Sequence, residues 1–179
     1  MQFLEEYPWL VPGSILALAA GLGLRGRVAA WLGTTRPLAL ALIVTLGVIL
    51  AATLAPPGFI RATRVQPPGT CDLSRFGLAP LDQFLAPSDV TGNVLGFIPL
   101  GLVIGLLPRT RRTALVLAAA VALPFAIEGI QLVVAPLGRV CQSGDVVDNL
   151  TGLVIGLAAA LAVRRWRPGV GQPGEAAGT

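Results

Sequence analysis

The sequence has no histidine and no lysine, and it carries little charge of either sign. All thirteen basic residues are arginine, and only 12% of the 179 residues are charged, whereas 54% are hydrophobic. A soluble domain is usually about a quarter charged, so the composition argues against a soluble or a disordered protein. Without histidine, the commonest proton shuttle and transition-metal ligand are missing. The arginines stand in short clusters between apolar runs, a pattern that does not indicate nucleic-acid binding.

Five apolar runs with little charge predict an all-α membrane protein. The runs cover residues 7–24, 37–55, 90–107, 113–134 and 150–163. A helix needs about 20 apolar residues to cross a bilayer, so the last run is long enough only if Asp148 and Asn149 form its first turn. Because the runs are continuous rather than alternating, they predict helices and not barrel strands. We predict one polytopic helical bundle over residues 1–166 and a disordered cytoplasmic tail over residues 167–179.

The arginines predict how the five spans are oriented. Nine of the thirteen lie in the connector after span one, in the connector after span three and in the tail after span five. The connector after span one is predicted to hold Arg25, Arg27 and Arg36. Arginine is enriched on the cytoplasmic side of membrane proteins. We therefore predict a multi-pass protein of the cell membrane with its N-terminus outside and its C-terminus in the cytoplasm.

The two cysteines, Cys71 and Cys141, both fall in loops on the predicted outer side. An oxidising exterior permits a disulfide between them, and the alternative is two free thiols. A bridge would close a loop of about 70 residues and contribute about 4 kcal/mol in the chain-entropy model. It would also tie the two outer loops into one lid.

Polar residues of three spans are predicted to meet near the outer surface. Glu128 lies about six residues, or roughly 9 Å, inside the outer end of span four, and Gln131 shares its helix face. Membrane-embedded acids normally face a bundle interior or a wet cavity. Arg139, in the next loop, is the candidate counter-charge. The candidate site joins acids, amides and one arginine: Asp89, Asn93, Glu128, Gln131, Arg139, Asp145, Asp148 and Asn149.

Structural roles remain open as alternatives for these residues. In these alternatives, Ser88 or Asp89 is the N-cap of span three, and Asp145 and Asp148 suit the positive start of span five. For Glu128 the alternative is a structural hydrogen bond to a neighbouring amide. Two pairs of glycines four residues apart predict close helix packing rather than chemistry: Gly101 with Gly105, and Gly152 with Gly156.

Three blocks of sequence resemble the VanZ-like family of small bacterial membrane proteins. They are NVLGFIPLG at 93–101, EGIQ at 128–131, and Arg139 followed by DVVDNLTG at 145–152. They delimit a family core of about residues 76–163. The segment between Arg61 and Asp82, which holds Cys71, is less typical of the family. The family motif maps onto these positions: Asn93, Pro99, Gly101, Glu128, Gln131, Arg139, Asp145, Asp148, Asn149 and Gly152.

The resemblance implies a role in the cell envelope, since the family's namesake is associated with teicoplanin resistance. It supplies no established reaction. The leading hypothesis is a protein that binds or modifies an envelope lipid or a lipid-linked wall precursor in an outward-facing pocket. The residues identify no cofactor, no metal site and no nucleic-acid partner.

Two other functions remain open. In an enzyme, Glu128 would act as general acid or base, Asp145 and Asp148 would join it in catalysis or hold a divalent metal, and Arg139 would hold a phosphate. The other residues of the candidate site would bind the ligand. In a small transporter, Glu128 would carry the proton. The inner halves of spans three to five contain no acid or amide, which counts against a transporter.

Overall fold

The computed structural model describes residues 7–56, 69–85, 88–134 and 137–166. Within these ranges, five helices are long and apolar enough to cross a membrane. They are α1 (Leu10–Leu32), α2 (Arg36–Leu54), α4 (Asp89–Leu106), α5 (Arg111–Val133) and α6 (Ser143–Trp166). A short helix, α3 (Leu81–Leu85), and two strands, β1 (Cys71–Asp72) and β2 (Cys141–Gln142), complete the order. The predicted all-α bundle of five spans is confirmed. The predicted disordered tail lies outside the described residues.

The first span is longer than the sequence predicts. We expected the run to end at residue 24 and Arg25, Arg27 and Arg36 to form a connector, and this was wrong. Helix α1 continues through Arg25 and Arg27 to Leu32, and Arg36 is the first residue of α2. Arginine is a good helix former, and both α1 side chains are exposed on its surface. Helix α1 ends where Gly33 adopts the left-handed conformation, with φ of 64°.

The starts of α4 and α6 bring polar residues into the helices. Ser88 caps α4, and its hydroxyl accepts a hydrogen bond from the Thr91 amide. This is the capping role that the sequence offered for Ser88. Helix α6 begins at Ser143, so Asp148 and Asn149 lie inside it and complete the fifth span. Asp145 lies in its first turn, where a carboxylate suits the positive end of the helix dipole.

Glycines hold α4 and α6 in close contact. A Cβ atom added at Gly101, Gly152 or Gly156 would overlap a backbone carbonyl of the facing helix. The predicted packing role of these glycines is thereby confirmed, and the backbones approach as in other small-residue helix pairs. Phe97 and Leu153, both buried, lie in the same core.

Two arginines define one end of the bundle. Arg112, at the start of α5, donates to the Trp31 carbonyl at the end of α1, and its guanidinium lies 5.9 Å from the Trp31 ring centre. Arg164, near the end of α6, donates to the Leu107 carbonyl just after α4. Both bonds satisfy carbonyls that a helix C-terminus leaves without an internal partner. The predicted cytoplasmic location of this arginine-rich end stays a prediction.

A disulfide marks the opposite end, which we call the disulfide end. Strands β1 and β2 pair in parallel, with Cys71 opposite Cys141 and a Cα–Cα distance of 4.6 Å. The predicted bridge between these cysteines is confirmed. It fastens the segment before α3 to the residues that lead into α6. The ends of α2 and α5 and the starts of α4 and α6 lie at this end.

Enlarging a glycine between α4 and α6 should destabilise the bundle. Gly156→Val places side-chain atoms against the backbone of α4, and we expect a loss of at least about 2 kcal/mol from overpacking. Unfolding of the purified protein in detergent measures the loss. Gly26→Val is the matched control, because an added Cβ at Gly26 meets nothing within 4 Å. Equal losses in the two variants would contradict the close contact.

Candidate functional site

Three helices meet around a cavity of about 180 Å³ at the disulfide end. Helix α4 begins there, α5 ends there and α6 begins there, and spacings of three or four residues place the polar pairs of each helix on one face. Seven of the eight residues proposed from the sequence line this cavity. They are Asp89, Asn93, Glu128, Gln131, Arg139, Asp145 and Asn149. Asp148 is the exception.

Glu128 is a buried acid that lies against the strand fastened by the disulfide. Its side chain is 6% exposed, and its Oε2 accepts a hydrogen bond of 2.7 Å from the Gln142 amide. Gln142 follows Cys141 directly, so the disulfide also positions the donor that faces the carboxylate. A direct bond from Glu128 to Asn93 or Asn149, the structural alternative, is not found among the described residues.

Three side-chain amides around the cavity are incompletely satisfied. Gln131 donates from Nε2 to the Thr53 carbonyl of α2 at 3.0 Å. Its Oε1 has no hydrogen-bond partner among the described residues, and the same holds for Asn149 Oδ1 and Asn93 Nδ2. Gln131 is 8% exposed and Asn149 is 1% exposed. A buried polar atom without a partner costs about 1–3 kcal/mol. All three residues line the cavity, so a molecule bound inside it is a candidate partner for these atoms.

Arg139 joins the cavity to the end of α2. Its Nε donates to the Ala55 carbonyl at 3.0 Å, and its Nη2 donates to Ala52 at 2.6 Å and Ala55 at 2.9 Å. The guanidinium lies 5.8 Å from the ring centre of Tyr7, a cation–π distance. A cation is favourable at a helix C-terminus. Arg139 thus caps α2 while it lines the cavity, a role that the sequence did not indicate.

Asp148 is directed to a different partner. It is 0% exposed, and its carboxylate receives two hydrogen bonds from Arg75, of 3.0 Å from Nη1 and 2.5 Å from Nη2. The pair forms the bidentate geometry that arginine makes with carboxylates. The hydrogen bonds with Asp148 raise the pKa of the Arg75 guanidinium, which keeps it charged. The structure does not bring Asp148 into the cavity, although the sequence grouped it there.

Arg75 is the main residue that sequence reasoning missed. Its carbonyl accepts a 2.7 Å hydrogen bond from the Ser143 hydroxyl, and its guanidinium lies against Gly144, where an added Cβ would collide with it. The predicted disulfide could have indicated that Arg75 contacts the start of α6. A bridge between Cys71 and Cys141 places the residues that follow both cysteines side by side, and Arg75 is the one cation in that stretch of the loop.

The acidic side chains of the site are the candidate ligands for a divalent metal. Among the described residues, no three His, Cys, Asp or Glu side chains are close enough together to hold a metal ion. Of Asp145 and Asp148, which the sequence offered as a divalent-metal pair, Asp148 binds Arg75 with both carboxylate oxygens. The site instead contains both hydrogen-bond donors and hydrogen-bond acceptors.

The comparison with known families agrees with the sequence blocks. The family model VanZ/LLP1 matches residues 42–164, more than half of the chain. The chain belongs to the VanZ/LLP1 family. No curated protein and no solved structure matches it. The match begins inside α2 and includes the Cys71 segment, so it is wider than the core of residues 76–163 drawn from the sequence blocks. Family and helices together make this a multi-pass membrane protein.

Removing one member of the Arg75–Asp148 pair should destabilise the protein more than removing both. We expect Arg75→Met to cost about 3 kcal/mol, since it leaves the fully buried Asp148 carboxylate without its partner. Asp148→Leu should cost less, because the Arg75 side chain that remains is 27% exposed. The double variant should recover a large part of this loss. Thermal unfolding of the oxidised protein in detergent gives the three values. Arg109→Met, at an exposed arginine of the other end, is the control. Additive losses in the double variant would show that the two residues do not interact.

Proposed function

We propose that this VanZ/LLP1 protein binds the polar headgroup of an envelope lipid, or of a lipid-linked wall precursor, in the cavity at the disulfide end. The observation that carries the proposal is the set of buried amide atoms on α4, α5 and α6 that have no hydrogen-bond partner among the described residues. Folding leaves them unsatisfied at a cost, which a ligand with matching polar groups would remove. In this proposal the disulfide end faces the outside of the cell.

The position of the cavity favours a headgroup as the ligand. Glu128 lies five residues before the end of α5, a depth of about 8 Å at the helical rise. This depth is close to the region where lipid headgroups meet the acyl chains. Drug-sized ligands occupy pockets of about 300–1,000 Å³, whereas this cavity measures about 180 Å³. The volume suits a small headgroup and not a glycopeptide antibiotic, so an effect on teicoplanin sensitivity would arise through the lipid or precursor.

An enzyme that uses Glu128 as general acid or base is the second candidate. A buried carboxylate on a cavity is a suitable proton-transfer group. The neighbouring nucleophiles are occupied, because the Ser143 hydroxyl donates to the Arg75 carbonyl and Cys141 is bonded to Cys71. Binding therefore ranks ahead of catalysis. A transporter ranks third, since the inner halves of α4, α5 and α6 contain no acid or amide that could continue a polar path.

Labelling of single cysteines tests the proposed orientation. The native cysteines form the disulfide and do not react, so Gln83→Cys and Thr110→Cys each add one reactive thiol at opposite ends of the bundle. A membrane-impermeant maleimide should label position 83 in intact cells and position 110 only after the cells are permeabilised. Gln83→Ser supplies the unlabelled background. The reverse pattern would place the cavity on the cytoplasmic side and overturn an outward-facing site.

Lipid retention tests the proposed ligand. Native mass spectrometry of protein purified in mild detergent should show bound envelope lipid, and Gln131→Leu and Asn149→Leu should lower its retention by about tenfold through the loss of hydrogen bonds. Gln83→Leu removes an exposed amide outside the cavity and should retain lipid normally. Each variant is first checked for normal thermal unfolding.

The same preparation distinguishes binding from catalysis. If Glu128 transfers protons, Glu128→Gln abolishes turnover of a labelled lipid-linked precursor but leaves its binding nearly intact. Turnover unaffected by Glu128→Gln would eliminate the acid–base role. If neither Gln131→Leu nor Asn149→Leu lowers the amount of lipid that the protein retains, the headgroup proposal is refuted.

A further inference from the structure

We propose that the segment of residues 73–81 lies in the membrane interface at the disulfide end, where its exposed apolar side chains contact lipid acyl chains. The partner of this surface is the bilayer itself. Contact with lipid here requires neither a ligand in the cavity nor a particular side of the membrane, so it goes beyond the proposed function. Three properties of the segment support it: its composition, its depth and its position beside the lipid-facing surface of the helices.

The segment combines exposed apolar side chains with little charge. Its only charged residue is Arg75, whose guanidinium is paired with Asp148. Its large apolar side chains are between 58% and 74% exposed, although they lie outside the spanning helices. They are Leu73, Phe76, Leu78 and Leu81. Exposed apolar side chains grouped in this way mark a surface that another molecule or a membrane covers.

The segment starts beside the helices and not above their ends. It follows β1, which pairs with β2, and the Gln142 amide of β2 donates to Glu128. Glu128 lies about 8 Å below the end of α5. Beyond Glu128, α5 exposes the apolar side chains of Ile130 and Val133. The strand pair is therefore level with apolar helix surface, and amphipathic segments in an interface are buried to a similar depth, about 5–10 Å.

One end of the segment borders the lipid-facing surface of α6. The Arg75 guanidinium binds Asp148 from that side of the helix. Ile155 lies seven residues further along α6 on the same face, about two turns deeper. Its side chain is 45% exposed. Because the exposed face of a spanning helix contacts lipid, the segment continues a surface that acyl chains already cover.

The other end borders the lipid-facing surface of α4. The Gln83 carbonyl of α3 accepts a hydrogen bond of 3.0 Å from the Thr91 hydroxyl. Leu95 lies one turn deeper than Thr91 on the same face of α4 and is 60% exposed. The segment and α3 thus follow the rim of the bundle above two lipid-facing helix surfaces.

Helix α3 also has one apolar side and one polar side. Leu81 and Phe84 are three residues apart and share a face, whereas Asp82 and Gln83 lie on the other side and are exposed. This arrangement is typical of a helix that lies in an interface, with its apolar side among acyl chains and its polar side in water. Gln83 is therefore the matched water-facing position.

A soluble partner protein is a poorer match for this surface. Because the segment starts level with apolar helix surface, a soluble protein would have to displace lipid to reach it. Acyl chains are already present at this level, and they need only the apolar contact that the segment offers.

Spin labels measure the depth of the segment. The probes are nitroxides on Phe76→Cys and Leu78→Cys in the full, oxidised chain, reconstituted in phosphatidylcholine vesicles. Dissolved oxygen concentrates among acyl chains, whereas a nickel chelate stays in water. We expect the ratio of oxygen to chelate collisions at both positions to exceed that at Gln83→Cys by at least about fivefold, as burial in the interface requires. Leu95→Cys supplies the value for a lipid-facing helix.

Added tryptophans provide a second measurement that introduces no thiol beside the disulfide. Leu78→Trp and Gln83→Trp each add one indole to the three native tryptophans, whose emission is subtracted. Brominated phosphatidylcholine should quench the added emission of Leu78→Trp at least about threefold more than that of Gln83→Trp, because only the former lies among acyl chains. Iodide in the buffer should show the opposite order.

Two results would overturn the proposal. Labels at positions 76 and 78 that meet the chelate as often as the label at position 83 would show that the segment faces water. Labels there that meet neither oxygen nor the chelate would show that protein covers the segment, which in purified vesicles means a second copy of the chain. Neither result bears on the cavity, so the proposed function is tested separately.

Discussion

The disulfide end is organised by two ties between the Cys71 segment and the start of α6. One is the covalent bond from Cys71 to Cys141, and the other is the ion pair of Arg75 with the fully buried Asp148. Together they fix β2, whose Gln142 amide donates to Glu128. A carboxylate at this depth is stable only where its partners are held in place. The segment outside the helices therefore shapes the cavity as much as the helices do.

The cavity also depends on the close contact between α4 and α6. Gly101, Gly152 and Gly156 allow the backbones of these helices to approach, and this contact brings the face that carries Asn93 towards the face that carries Asn149. The polar lining of the cavity thus depends on the packing of α4 against α6, because a larger residue at these glycines would separate the helices that supply the polar atoms. Small residues allow such approach in membranes, where apolar surface alone gives little attraction between helices.

Sequence patterns were sufficient for the number of spans and for most of the polar side chains that line the cavity, because both follow from helical spacing and from the cost of charge in a membrane. The end of α1 was not predictable from charge, since Arg25 and Arg27 favour helix as strongly as they favour the interface. The Arg75–Asp148 pair joins residues 73 positions apart. It could be predicted from the sequence only after the Cys71–Cys141 disulfide had been assumed. The role of Arg139 in capping α2 was not predicted, because it donates there to backbone carbonyls, and a pattern of side chains does not indicate such contacts.

The chemistry of the cavity constrains how a member of the VanZ/LLP1 family could influence a glycopeptide. The cavity of about 180 Å³ is smaller than the pockets that hold drug-sized ligands. Under the proposed function it holds a small polar group, and lipids and wall precursors are membrane molecules that present such groups. Binding such a headgroup would change which polar groups are presented at the membrane surface. Under the proposed function, an effect on a glycopeptide would require no contact between the protein and the drug.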